Sequence, residues 1–191
     1  MLEVTRIFAE LLQKAQQQAA NNGEVWRSYA DPALISPCQY GDVEAELVSW
    51  WPVENTDTAD FSGLEQALEL TLNAELKVFF SAYYGAGLPL LHPRGPVELL
   101  MVWHQADFER LQQNIIAHIL MKRRLKQRET IFFAVTDDED MMLSVLNSTG
   151  EVYLERAGSE VKEKLADSLG AFLQQSALPD AAAVVGNCAG S

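Results

Sequence analysis

Between Asp107 and Val135 the apolar positions change period, and the change separates two elements. Phe108, Leu111, Ile115, Ile119 and Leu120 recur mainly at spacings of three and four, one face of a 3.6-residue helix, and the opposite face is polar. Asp107 and Glu109 stand at the positive end of that helix dipole and Lys122, Arg123, Arg124 and Lys126 at its negative end, so charge order agrees with helix direction. After a turn at Gln127 to Thr130, the run Ile131 to Val135 is apolar throughout, rich in β-formers and too short for a helix. It predicts a central strand covered on both faces, with the core around it.

The same two periods divide the rest of the chain. Val4, Ile7, Phe8, Leu11, Leu12 and Ala15 predict an amphipathic first helix ending near Asn21-Asn22-Gly23. Pro32 and Pro37 impose extended or turn structure between Trp26 and Cys38, and Glu44 to Trp51 reads as a strand stopped by Pro52. An acidic loop, Glu54 to Asp60, leads to a predicted long helix capped by Asp60 or Ser62, carrying Leu64, Leu68, Leu72, Leu76, Phe79, Phe80 and Tyr83, and ending at Gly85. Three glycines and three prolines make Gly85 to Pro96 a loop or irregular crossing, and Val97 to Trp103 is a predicted strand. Met142 to Leu146 and Glu151 to Glu155 predict a hairpin around Asn147 to Gly150, the glycine supplying a positive φ. Ser159 is the expected cap of a last helix bearing Val161, Leu165, Leu169, Phe172 and Leu173. The stretch after Pro179 is small and apolar without period and is expected to be disordered or weakly docked.

Composition adds a bound and a sign. A chain of 191 residues, 48% apolar and without a Gly/Ser or Pro-rich linker, predicts one domain over residues 1 to 179. The net charge is −13, and the acidity is spread over everything except Lys122 to Arg128, which holds five bases and no acid. Such a field repels nucleic acid and anionic lipid and attracts basic protein segments. Cys38 and Cys188 are the only cysteines, with no zinc spacing, and the first helix is broken by charges as no signal peptide or membrane span would be, so a cytosolic protein is expected.

Little in the chain points to chemistry. His118 lies beside Ile115 and Ile119 and reads as a hydrogen-bonded packing residue; Gly85-Ala86-Gly87 lacks the third glycine of a dinucleotide fingerprint, and no catalytic, metal or cofactor site is expected. Acidic clusters are the candidate binding residues. Asp137, Asp138, Glu139 and Asp140 join two predicted strands and read most simply as a solvated turn; Asp42, Glu44 and Glu46 alternate, which on one strand places them on one face. If Val97 to Trp103 and Ile131 to Val135 ran parallel, Asp107 would share a rim with the Asp137 to Asp140 loop. The basic run at Lys122 to Arg128 reads as helix-end charge compensation with ion pairs to this chain's own acids.

Trp103, Asp107-Phe108, Gln112, Asn114, His118, Arg124-Leu125-Lys126, Thr130, Phe132, Ser144-Val145, Asn147 and Gly150-Glu151-Val152 together resemble the Syd family of SecY-interacting proteins. Ser36-Pro37-Cys38, Pro52, Glu65, Ala67, Leu165-Ala166, Leu169 and Phe172-Leu173 extend the likeness to about Pro179. The resemblance implies the α/β fold of the wider SUKH group, a single domain with a mixed sheet flanked by helices. It implies binding without catalysis: an acidic concave surface, with Asp138 and Glu139 matching acidic positions, presented to the basic cytoplasmic loops of SecY. It also implies a cytoplasmic location, with membrane attachment only through SecY, and a role in monitoring or restraining improperly assembled SecY. The alternative is an immunity-type inhibitor of a basic toxin or nuclease, since the SUKH group includes such proteins.

Overall fold

In the computed structural model, which describes residues 3–57 and 59–179, the first helix α1 (Glu3–Asn22) forms as its period predicts. Val4, Ile7, Phe8, Leu11, Leu12 and Ala15 are all buried, and Gly23, at φ +67°, ends the helix. The predicted tail and Cys188 lie outside the described residues.

The next segment departs from expectation. Strands β1 (Arg27–Tyr29), β2 (Gln39–Glu44) and β3 (Leu47–Trp50) form a small antiparallel sheet in the order β1-β3-β2. The predicted single strand from Glu44 to Trp51 is therefore two strands and a turn: Ala45 and Glu46, at φ 50° and 66°, reverse the chain between Glu44 and its partner Leu47. Glu46 thus leaves the face proposed for Asp42, Glu44 and Glu46. Strand β4 (Val53–Glu54) follows.

The expected long helix is also two, α2 (Ser62–Leu68) and α3 (Ala74–Ala82). Glu69 takes a left-handed conformation, Glu65 Oε1 accepts from the Leu72 amide (2.8 Å) and from Lys77 Nζ (2.8 Å), and Asn73 caps α3 by accepting from the Glu75 amide. The break returns Leu72 and Leu76 to the core with Leu64 and Leu68, which is why the apolar period runs through it. Strand β5 (Tyr83–Tyr84) pairs with β4.

Beyond Gly87 the stretch to Pro96 is not a loop. Strands β6 (Leu88–His92) and β7 (Gly95–Leu99) form a hairpin across Pro93-Arg94, and β7 ends four residues before Trp103. The central helix α4 (Gln105–Arg124), capped by His104 Nδ1 accepting from the Ala106 amide, leads to β8 (Thr130–Thr136). The expected hairpin is β9 (Met141–Leu146) and β10 (Val152–Arg156), with Gly150 at φ +83°. The expected last helix begins as a strand, β11 (Glu163–Ala166), before α5 (Leu169–Gln175), whose cap is Ser168 and not Ser159.

The main sheet runs β11-β10-β9-β8-β7-β6, with each neighbouring pair antiparallel. β8 is interior, as its apolar run predicts. One face, with Leu90, Leu99, Phe133, Leu143 and Val145, packs on α1, α3 and α5; Phe133 lies edge-on to both Phe79 and Phe172. The other face carries α4. The sheet curls until its two ends approach: Arg94, in the β6-β7 turn, holds Glu163 of β11 at 2.6 Å, and Leu91 exchanges backbone hydrogen bonds with Ala177, covering the outer edge of β6. Helices flanking a curled sheet give the expected α/β class, and the pairs of the main sheet are all antiparallel where the resemblance implied a mixed sheet.

Candidate protein-binding surface

The position of α4 is fixed by charge buried beneath it. Lys122 Nζ donates to Glu155 Oε1 (2.9 Å) and to the Ser159 carbonyl (2.9 Å), and neither charged side chain is exposed at all. His118 Nε2 lies 3.4 Å from the same Glu155 oxygen and 3.2 Å from Thr130 Oγ1, with its ring edge-on to Phe132. Burial pushes the Glu155 carboxyl up, but the polar groups gathered around it, His118, Thr130, Lys122 and Ser144, outweigh that and hold the group at about 2, Lys122 through the hydrogen bond. His118 is the hydrogen-bonded packing residue its helical position predicts. Two of the other bases of the run are exposed but held by this chain's own groups. Arg123 binds Glu129 and the Leu68 carbonyl, and Arg128 binds Glu160 and the Val161 carbonyl; Arg124 and Lys126 have no acidic partner among the described residues.

Strand register shows how much of this sheet face the helix leaves open. Thr130, Phe132, Ser144 and Glu155 lie under α4, whereas Pro89, Glu98, Val135 and Met142 form one cross-strand row that continues the face beyond it. Val135 and Leu91, both on this face, are each 41% exposed. This row is a partly apolar strip.

Glu98 is its charged member. It is open to solvent on one side and crowded on the other: a Cβ built on Gly87 would stand 2.6 Å from Oε1. Desolvation there raises the carboxyl above its usual range, and no cation among the described residues pairs with it. Sequence reading missed Glu98 because it sits in an apolar strand beside a segment taken for a loop. The signal available was a single acid in VELLMVW, at a position that alternation would turn away from Val97 and Leu99.

The Asp137 to Asp140 turn lies at the same end of the sheet, since Thr136 stands opposite Val97 and Val135 opposite Glu98. It is a built turn with exposed acids: Asp138 accepts from the Asp140 amide (3.0 Å) through Oδ1 and from the Met141 amide (2.9 Å) through its carbonyl, and its own amide donates to Thr136 Oγ1. The two arginines at this end are already committed, Arg156 to Asp140 and Arg94 to Glu163. Asp137, Asp138, Glu139 and Glu98 remain without a cationic partner among the described residues.

Asp107 is not part of this rim. The parallel arrangement that would have placed it there is overturned by the antiparallel pairing of β7 and β8: the chain leaves β7 for α4 at the Leu99 end, whereas β8 leaves the sheet at the Val97 end. Asp107 instead pairs with Arg110 one turn along its own helix (3.2 Å). Asp42 and Glu44 belong to the small sheet, Glu44 already paired with Arg27 (3.2 Å), and Glu46 sits in the turn beyond them.

Residues 3–177 match the family model described as Syd protein (SUKH-2). The chain is 47% identical over 143 residues to the Protein Syd of Pseudoalteromonas atlantica, covering 73% of this chain and 77% of that one. It is 43% identical over 143 residues to that of Psychromonas ingrahamii, covering 75% and 78%. To that of Colwellia psychrerythraea it is 40% identical over 170 residues, covering 84% and 85%.

Proposed function

Because this chain belongs to the Syd (SUKH-2) family, we propose that it binds the cytoplasmic face of the translocon subunit SecY, using the open half of the α4 sheet face and its acidic rim to hold basic loops. No helix among the described residues is long and apolar enough to cross a membrane, so contact with the bilayer in this reading runs through SecY. The role that follows is to monitor or restrain SecY that is free or improperly assembled.

The observation that carries the proposal is the concentration of uncompensated carboxylates along one partly apolar strip. Glu98 sits on the strip beside exposed Val135, and Asp137, Asp138 and Glu139 stand at its end, while the neighbouring arginines are spent on other acids. A lysine or arginine entering the strip would meet a desolvated carboxylate and could lay its aliphatic stem along Val135. The buried Lys122–Glu155 pair holds α4, and with it one wall of the strip, in place.

The test is reversal of charge in the turn. Asp138→Lys with Glu139→Lys should lose most binding to SecY-containing membranes, while stability falls by only about 1 kcal/mol, the cost of the turn hydrogen bond that Asp138 Oδ1 accepts from the Asp140 amide. Undiminished binding by the folded double variant would count this rim out. A basic partner recovered only from membrane-free extract would favour the toxin-inhibitor alternative.

A further inference from the structure

We propose that the outward face of the small β1-β3-β2 sheet is a second docking surface, fitted to a polypeptide segment with alternating aliphatic and basic side chains. The register separates the two faces of this sheet cleanly. Val48 and Trp50 are buried on the inner face, at 1% and 5% exposure. Opposite them, Arg27, Tyr29, Tyr40, Glu44, Leu47 and Ser49 share the outer face, because Tyr29 pairs across from Leu47, Leu47 from Glu44, and Ser49 from both Arg27 and Tyr40.

The outer face of an antiparallel sheet that covers a core on one side ordinarily reads polar. Here it presents Tyr29 at 63% exposure and Tyr40 at 44%, with half-buried Leu47 between their strands. Tyrosine is a good strand former, so two of them alone would be weak evidence. The apolar exposure continues, however, into segments where strand propensity is no explanation: Val25 before β1 (54%), Ile35 in the following loop (68%) and Val43 in the irregular part of β2 (53%). Half of the large apolar side chains exposed among the described residues lie between Val25 and Val43. Clustered exposure of this kind marks an interaction surface, and tyrosine suits one because it offers a large rigid contact with a polar tip.

Charge selects the occupant. Asp31, Asp42 and Glu46 are exposed around this face without a cationic partner among the described residues, and its one arginine, Arg27, is held by Glu44. A second copy, itself at −13, would bring like charge to like, and so would an anionic membrane. A peptide alternating leucine-like and lysine-like residues matches both features. This surface is separate from the strip that carries Glu98, so either can fail without the other.

The test uses the full chain, labelled for amide NMR, and two synthetic peptides of about a dozen residues, one alternating leucine with lysine and one alternating serine with lysine. The leucine–lysine peptide should move the amides of Arg27 to Tyr29, Gln39 to Glu44 and Leu47 to Trp50, and bind about tenfold more tightly than the serine–lysine peptide. Tyr29→Ser with Tyr40→Ser should remove about tenfold in affinity and leave distant amides in place. Equal affinity for the two peptides, shifts confined to Glu98, Val135 and the Asp137 to Asp140 turn, or dimers in sedimentation that bury the small sheet would each overturn the proposal. So would flotation on phosphatidylglycerol vesicles that depended on the two tyrosines.

Discussion

Lys122 reads in the sequence as one of five bases at a helix end, yet it is the one that leaves water completely. Removing one partner of a buried pair strands the other, so Lys122→Met should destabilise the protein by about 3–5 kcal/mol in denaturant melts. Lys122→Met combined with Glu155→Leu should recover much of that loss; a double variant no better than the single would mean that packing, not the stranded charge, sets the cost. The pH dependence has a definite sign. Glu155 is held at about 2, below its ordinary 4.5, so its contribution is complete above the ordinary value and is lost as pH falls toward 2. Stability of the double variant should therefore vary less over that window. Glu98 behaves oppositely. Its carboxyl is raised by desolvation, so ionisation penalises the folded state at neutral pH, and the penalty lifts as pH falls through the raised value. Glu98→Gln should raise the melting midpoint at pH 7 while weakening SecY binding, the pattern of a residue kept for contact and not for folding. A variant that melts lower and binds as well as the parent would place Glu98 in the structure alone. Many residues that made the family legible are polar groups tied inside the fold: His118 and Thr130 in the charge network, Ser36 donating to the Trp103 carbonyl, Asn147 bridging the Asn73 amide and the Thr71 carbonyl. The acids proposed for binding sit outside that fabric, and nothing in one sequence distinguishes Asp138, without a cationic partner among the described residues, from Asp140, paired with Arg156.

Elements with one uninterrupted period were readable, and those whose irregularity is satisfied by tertiary contacts were not. α1, α4, β8 and the β9-β10 hairpin stand where their patterns place them. The β6-β7 hairpin was hidden by its prolines. Because the Leu91 amide points outward to Ala177, the nitrogen of Pro89 two residues earlier also faces the outer edge, where a missing N–H costs no ladder bond. Pro96 lies just before the β7-β8 pairing begins at Val97. The break between α2 and α3 was hidden because leucines keep their period across it, although Asn73 followed by Glu75 carries a helix-start signal. The β2-β3 turn was hidden for a different reason: Ala45 and Glu46 are poor residues for two successive positive φ angles. Each residue held in that region costs about 1–2 kcal/mol. Ala45→Asn with Glu46→Gly should accordingly stabilise the protein by about 1–2 kcal/mol, seen as a rise of a few degrees in the thermal midpoint. No rise would mean that the Ala30–Glu46 backbone hydrogen bond or another contact already favours the native pair.

On the scale of the whole molecule, the net charge of −13 is distributed unevenly by what the fold does with its bases. Lys122, Arg123, Arg128, Arg94 and Arg156 are drawn into pairs with Glu155, Glu129, Glu160, Glu163 and Asp140, so they cancel acids locally and leave the field of the others intact. The residual field is strongest where carboxylates collect without partners, and one such place is the strip ending in the Asp137 to Asp140 turn. A partner that arrives as a basic loop is steered by this field over distances comparable to the Debye length, about 10 Å at 0.1 M salt and about 3 Å at 1 M. Binding to SecY-containing membranes should therefore weaken steeply with salt, by about tenfold or more between 0.05 and 0.5 M, with most of the change in the association rate. A contact at Glu98, where the carboxyl is partly desolvated, would be screened less, so a salt-resistant remainder should persist and should be the part that Glu98→Gln removes. In the Asp138→Lys, Glu139→Lys variant the salt slope should flatten because its steering charges are gone. Affinity that does not change over this range in the unmodified protein would remove the electrostatic account of partner choice, leaving any SecY contact to be carried by apolar surface alone.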